Sequence, residues 1–196
     1  MELYENGFDV RVSLLVSSVS ADYLESLITR MVQSQIRIGL MPQLMATEAG
    51  SLHPLDLAAD DSQLMRLFAY EGDWNSDPFE PNLGSSSESD YRACNAGRTT
   101  VGVRADGSIL PCLVLTRPVL GHLSTDTLAS VITGEARRHF LESNVTPDIC
   151  RACDLRRFCM RCPADALAET GSLSGIPPES CRIARLRAKF HIDSQR

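Results

Sequence analysis

Seven cysteines, none before residue 94 of this 196-residue chain, form one ordered series: Cys94, Cys112, Cys150, Cys153, Cys159, Cys162 and Cys181. The run CRACDLRRFCMRC places four of them within 13 residues as C-x2-C-x5-C-x2-C. Thiolates are soft anionic ligands, and this spacing lets several sulfurs converge on one inorganic centre. Two chemistries fit the pattern. Closed zinc sites take four Cys or His ligands each, so seven cysteines plus one of His122, His139 or His191 would fill two of them. Cubane iron–sulfur clusters also take four thiolates but tolerate an open iron, so seven cysteines suit two clusters. Spacing alone leaves both open, whereas an odd count cannot be fully paired in disulfides.

Other chemistry is sparse. There is no Gly-rich phosphate loop, no nucleophile elbow and no paired-carboxylate constellation. The four histidines read as surface or packing residues, with His122 in LGHLS the best candidate for a non-cysteine ligand. Arg98, Arg104, Arg151, Arg156, Arg157 and Arg161 crowd around the cysteines in sequence. They are available to offset thiolate charge or to dock an acidic peptide, but long cationic side chains usually stay solvated, and that is the expectation for them. Pro111 and Pro163, each beside a cysteine, are expected to fix the local backbone.

The elements that must position these groups fall into two regions. In the first, Phe8, Val10, Val12, Leu14 and Val16 alternate with more polar residues as on a strand. Ser20 is placed to cap a helix carrying Leu24, Leu27, Ile28, Met31 and Val32, and IRIGLMPQ (36–43) returns as a second strand. That order makes a βαβ unit with parallel strands. A further helix is expected over Asp60 to Tyr70. Residues 71–90, rich in Gly, Pro, Ser and acids, read as a linker pinned by Trp74 and Phe79. From Tyr91, TTVGVRADGSILPC predicts a β-hairpin with its turn at Ala105-Asp106-Gly107-Ser108, which sets Cys112 at the far end from the turn. A helix carrying Leu128, Val131 and Ile132 is expected within Leu123 to Phe140.

A hydrophobic content of 43% and a charged content of 22% describe a folded globular chain. The net charge of −6 argues against a nucleic-acid partner. No apolar run is long enough to cross a membrane, and MELYENGFD has neither the basic start nor the apolar stretch of a signal peptide, so a cytoplasmic, thiol-reducing location is expected.

The order Cys94-x12-Gly107-x4-Cys112, then C-x2-C-x5-C-x2-C, then Cys181 resembles the seven-cysteine signature of the SPASM domain. This is the auxiliary-cluster module of radical S-adenosylmethionine (SAM) enzymes that modify ribosomally made peptides and proteins. LPC, LGHLS, CRACDLRRFCMRCPA and ESCRIARL carry the likeness over residues 91–190. One interval departs: two residues separate Cys159 from Cys162, where the family pattern commonly has three. The resemblance implies two [4Fe–4S] clusters, the first on Cys94, Cys112 and Cys162, the second on Cys150, Cys153, Cys159 and Cys181. One iron of the first cluster is then without a cysteine ligand and open to water, substrate or another residue.

Residues 1–70 resemble the last β/α units of the radical SAM partial barrel. The implied fold is an incomplete α/β barrel with a βαβ unit, followed by a small α+β SPASM domain with a β-hairpin and cysteine-rich loops. SAM cleavage needs a C-x3-C-x2-C motif, and no cysteine precedes Cys94. The chain is therefore expected to be part of a split or longer maturase, not catalytic on its own and using SAM only if a SAM-binding barrel portion is supplied. Its clusters would serve electron transfer or peptide binding. A zinc-stabilised protein-interaction module is the alternative reading.

Overall fold

The computed structural model describes residues 6–8, 10–47, 51–71 and 94–193. The expected linker 71–90, with Trp74 and Phe79, falls outside these residues except for Glu71, and so does Tyr91.

The first unit is strand–helix–strand: β1 (Arg11–Leu15), α1 (Ala21–Gln33) and β2 (Arg37–Met41). The strands pair in parallel, in register from Arg11 opposite Arg37 to Leu15 opposite Met41. Period two brings Val12, Leu14, Val16, Ile38 and Leu40 to the core, and helical spacing brings Ala21, Leu24 and Ile28 of α1 to meet them. The outer positions of the sequence pattern stay out of it. Phe8 precedes the strand and is 61% exposed, and Val32 points outward from α1.

Ser20 precedes α1 without capping it. Its backbone is already helical (φ −89°, ψ −27°), which turns the side chain back toward the preceding turn. There it accepts from the Ser17 N–H at 2.9 Å and donates to the Leu15 carbonyl at 3.0 Å. At the other end, Ile36 N–H bonds Met31 O and Gln35 N–H bonds Val32 O, both at 3.0 Å, with Gln35 at φ 58°. This is a Schellman closure with glutamine in the left-handed position that glycine usually takes.

A 3₁₀ turn, His53–Leu57, forms where LHPLD reads as loop, and α2 (Asp61–Phe68) follows. A capping box starts α2: the Asp60 carboxylate accepts from Gln63 N–H at 2.8 Å, and the Gln63 side-chain oxygen accepts from Asp60 N–H at 3.1 Å.

The second unit opens with β3 (Gly102–Val103) and β4 (Ser108–Leu110), an antiparallel hairpin, and adds β5 (Gly121–His122) on the other side of β4. A two-residue strand carries no period, so the sequence pattern does not announce β5. The hairpin turn sits one residue earlier than Ala105–Ser108. Gly107 N–H bonds Arg104 O at 2.9 Å, Arg104 N–H bonds Ser108 O at 3.0 Å, and Gly107 lies at φ 90°, a three-residue loop closed by a glycine bulge.

The helix expected within Leu123 to Phe140 is two helices, α3 (Leu128–Thr133) and α4 (Glu135–Ser143), because Gly134 between them is extended (φ −71°, ψ 159°). Of the three apolar residues named for it, Val131 is buried, while Leu128 and Ile132 are exposed. A short α5 (Asp148–Arg151), a 3₁₀ turn (Arg156–Phe158), α6 (Pro163–Thr170) and α7 (Pro178–Asp193) complete the chain.

Two cores result, and α7 serves the first from the far end of the sequence. Ile183 is buried there with Leu14, Ile28, Leu64, Leu67 and Phe68, and Leu186 and Phe190 pack against the same cluster. On another side of α7, Ala184 and Ala188 cover Phe158. The second core gathers Ala96, Ile109, Leu115, Leu120, Val131 and Phe140 beneath the hairpin.

Candidate metal centre

Each cysteine sits at the edge of an element, where a side chain can leave the local packing. Cys94 precedes a bridge between Ala96 and Thr100. Cys112 follows β4 by two residues, and fully buried Pro111 holds that exit: its carbonyl accepts from Gly97 N–H at 2.9 Å, tying the Cys94 loop to the Cys112 loop. Cys150 is in α5, Cys153 follows it, and Cys159 ends the 3₁₀ turn. Cys162 is the residue before α6, whose first helical position is the buried Pro163, a place where the missing amide costs nothing. Cys181 stands in the first turn of α7. All seven are free thiols of intermediate burial.

Burial dominates the electrostatics of five of them. Burial pushes the Cys159 thiol up to about 11; the Arg161 amide, bonding its sulfur, opposes the rise, and the charges of Cys181, Cys150 and Cys153 add to it. Cys150 is raised by burial and by Cys181 and Cys153, and Cys181 is raised by burial, with Cys153 adding to the effect. Burial raises Cys94, the Ala96 N–H at 3.3 Å opposes it, and Cys112 adds to it. Cys162 is pushed up to about 12, first by burial and then by the negative charge of Asp165, against the amides of Asp165 and Ala164 at the start of α6, and Cys94 adds a smaller push. Without a metal, the thiols of Cys94, Cys150, Cys159, Cys162 and Cys181 hold their protons, and a metal centre must displace them to bind.

The sets are open. Among the described residues, no three Cys, His, Asp or Glu side chains converge tightly enough to hold a single metal ion. Tetrahedral zinc needs sulfurs within roughly 3.8 Å of one another, from a Zn–S bond of about 2.3 Å. A cubane instead takes each thiolate on a different iron, and its sulfur shell is wider.

His122 stays apart from Cys112. β5 places His122 opposite Ser108, at the turn end of the hairpin and four residues, about 13 Å of extended chain, from Cys112. Its Nδ1 lies 2.7 Å from the Ser124 hydroxyl. His191 stacks on Phe158 with ring centroids 5.2 Å apart.

Two residues that the sequence pattern presents as ordinary surface groups are buried. Arg161 is 4% exposed, so solvation does not describe it. Its guanidinium donates to Leu173 O at 2.6 Å and to Gly175 O at 2.8 and 3.2 Å. Asp165, also 4% exposed, accepts from the Gln43 amide at 2.5 Å, and Gln43 also donates to Ser180 Oγ at 2.8 Å. Burial and Glu169 together push the Asp165 carboxyl up to about 6, against the Gln43 bond. Asp165 lines a cleft of about 790 Å³ that runs from Met45 and Thr47, after β2, past Val114 and Pro118 to Leu167 of α6. No local signal marks either residue, because their partners lie on loops distant in sequence.

Residues 94–154 match the family model of SPASM, described as an iron–sulfur cluster-binding domain. Cys94, Cys112, Cys150 and Cys153 lie within the match; Cys159, Cys162 and Cys181 lie beyond it. A search of curated proteins returned no match. Among solved structures the chain is similar to native anSMEcpe with bound AdoMet, at TM-score 0.63 and 14% identity over 98% of this chain and 57% of that one. It is also similar to native anSMEcpe with bound AdoMet and Cp18Cys peptide, at TM-score 0.60 and 16% identity over 98% of this chain and 59% of that one. The chain thus shares its fold with rather more than half of either structure and carries a SPASM-type iron–sulfur segment within it. No described helix is long and apolar enough to cross a membrane.

Proposed function

We propose that this chain is the auxiliary iron–sulfur part of a radical SAM enzyme that modifies a ribosomally made peptide or protein. Cys150, Cys153, Cys159 and Cys181 would hold one [4Fe–4S] cluster, and Cys94, Cys112 and Cys162 the other. The observation that carries this reading is the match of residues 94–154, with four of the seven cysteines, to an iron–sulfur cluster-binding domain.

When bound, such clusters supply one-electron transfer or an open iron that a peptide group can ligate. The chain's own residues do the rest. Arg161 and Ala96 donate main-chain N–H bonds to the sulfurs of Cys159 and Cys94, an interaction that favours thiolate and raises cluster potential. The cleft between the β2 loop and α6 offers an apolar wall and one buried carboxyl, Asp165, features suited to an extended peptide. No cysteine of this chain forms C-x3-C-x2-C, so SAM binding comes, in this reading, from further sequence of the same protein or from a partner chain.

Anaerobic reconstitution with iron and sulfide tests the proposal. Two cubanes give a brown protein absorbing near about 400 nm with about eight irons per chain. Colourless protein with stoichiometric zinc overturns it in favour of a zinc-stabilised interaction module.

A further inference from the structure

Resting on the reading of the cleft beside α6 as a peptide site, and deepening it, we infer that Asp165 recognises a lysine side chain of the bound peptide. The carboxylate supplies the first argument. Asp165 is 4% exposed, and its Oδ2 accepts from the Gln43 amide at 2.5 Å. Its side chain makes no other hydrogen bond, and no cation pairs with it, among the described residues. No buried side-chain oxygen among those residues lacks a partner, so the unbonded Oδ1 keeps accessible surface, and it opens on the cleft that Asp165 lines. A carboxylate so far withdrawn from water is costly until a cation meets it.

The second argument is the setting. The Gln43 amide that holds Asp165 donates a second bond, to Ser180 Oγ at 2.8 Å, and Ser180 is itself buried at the start of α7. The carboxylate is therefore fixed from two elements before any ligand arrives, which lowers the ordering cost of binding. Around it the cleft of about 790 Å³ is walled by Val114, Pro118, Val119, Leu167 and Leu173. Val114 and Val119 are 47% and 49% exposed. The methylene stem of a lysine and apolar residues beside it would cover that surface while the ammonium reaches the acid. The net charge of −6 favours a cationic ligand at longer range.

The hydrogen-bond count selects lysine over arginine. A guanidinium makes its best bonds to both oxygens of a carboxylate at once, and one of the two is already committed to Gln43. A compact ammonium needs only the other.

The test is calorimetric titration of the full chain with three blocked pentapeptides, leucine–alanine–X–alanine–leucine, in which X is lysine, its uncharged analogue norleucine, or arginine. The lysine peptide binds roughly tenfold tighter than the norleucine peptide, the gain of a hydrogen bond to a charged group, and tighter than the arginine peptide. In Asp165→Asn, which keeps an oxygen for Gln43 and loses the charge, the lysine and norleucine peptides bind within about twofold of each other. The inference is overturned if the unchanged chain does not separate lysine from norleucine, if arginine binds tighter than lysine, or if the asparagine chain keeps the lysine preference. Where the asparagine chain does not fold, zero-length carbodiimide coupling on the unchanged chain decides. An amide joining the lysine peptide to Asp165, mapped by mass spectrometry, supports the inference, and coupling at other carboxylates alone ends it. If none of the three peptides binds the unchanged chain, the peptide reading of the cleft fails as well, a result distinct from lysine and norleucine binding equally.

Discussion

Glu71 and Arg187 form a two-pronged ion pair, Nε to Oε2 at 2.9 Å and Nη2 to Oε1 at 2.7 Å, with side chains 6% and 2% exposed. The pair spans 116 residues of sequence and joins the end of the βαβ region to α7, six residues past Cys181. Glu71→Gln leaves a guanidinium buried against a neutral group and is expected to destabilise the chain by about 3–5 kcal/mol. The double change Glu71→Leu, Arg187→Met should recover most of that loss, since a fitted apolar pair avoids the desolvation cost. Urea denaturation of the three proteins checks both expectations.

Gly97 lies at φ 69°, and a methyl added there would come within 2.9 Å of two ring carbons of Phe140. Gly171, at the end of α6, has φ 77° and nothing within 4 Å of the same methyl. Gly171→Ala should therefore show only the left-handed backbone cost, about 1–2 kcal/mol. Gly97→Ala adds overpacking of roughly 1–3 kcal/mol and loosens the link between the Cys94 and Cys112 loops. Thermal melts should rank the two variants in that order.

Each thiol set should fail by itself. Cys181→Ser is expected to reduce the iron content of reconstituted protein from about eight per chain to about four, with one cubane signal retained. Cys112→Ser should remove the other. Iron assay with EPR reads the outcome, and a single change that abolished all iron would argue against two independent sites.

Asp60 tests the electrostatics of α2. Bonds from the Gln63 N–H and then from Ser62 hold its carboxyl below the usual carboxylate range. A group with a depressed folded value stabilises above its unfolded pKa, about 3.9, and that contribution disappears as the pH falls through the lower folded value. Asp60→Ala removes the capping bond at neutral pH and flattens the acid limb of the stability profile below about pH 4. Denaturation midpoints measured across that range, for both proteins, should converge at the acid end.

What was legible in the sequence was local. Val12 and Leu14 announced β1 by period two, Leu24 and Ile28 announced α1 by spacing of four, and Asp106-Gly107 announced the hairpin. The crossover made the β1–β2 pairing parallel. The cysteine order carried the likeness to an iron–sulfur domain. What stayed hidden depends on distant partners. Nothing near Arg161 shows that Leu173 and Gly175 will present carbonyls to it, and nothing near Asp165 shows that Gln43, 122 residues away, will donate to it. Ile183, Leu186 and Phe190 have the spacing of a buried helix face, yet the core they enter belongs to the other end of the chain.

That placement of α7 gives it two duties along one rod. A stop codon just after Pro177 would take Cys181 from its thiol set and, in the same stroke, uncork the floor beneath Leu14, Ile28 and Leu64. Damage at the carboxyl end would then be felt at the amino end, and the two halves of the molecule would lose their order together.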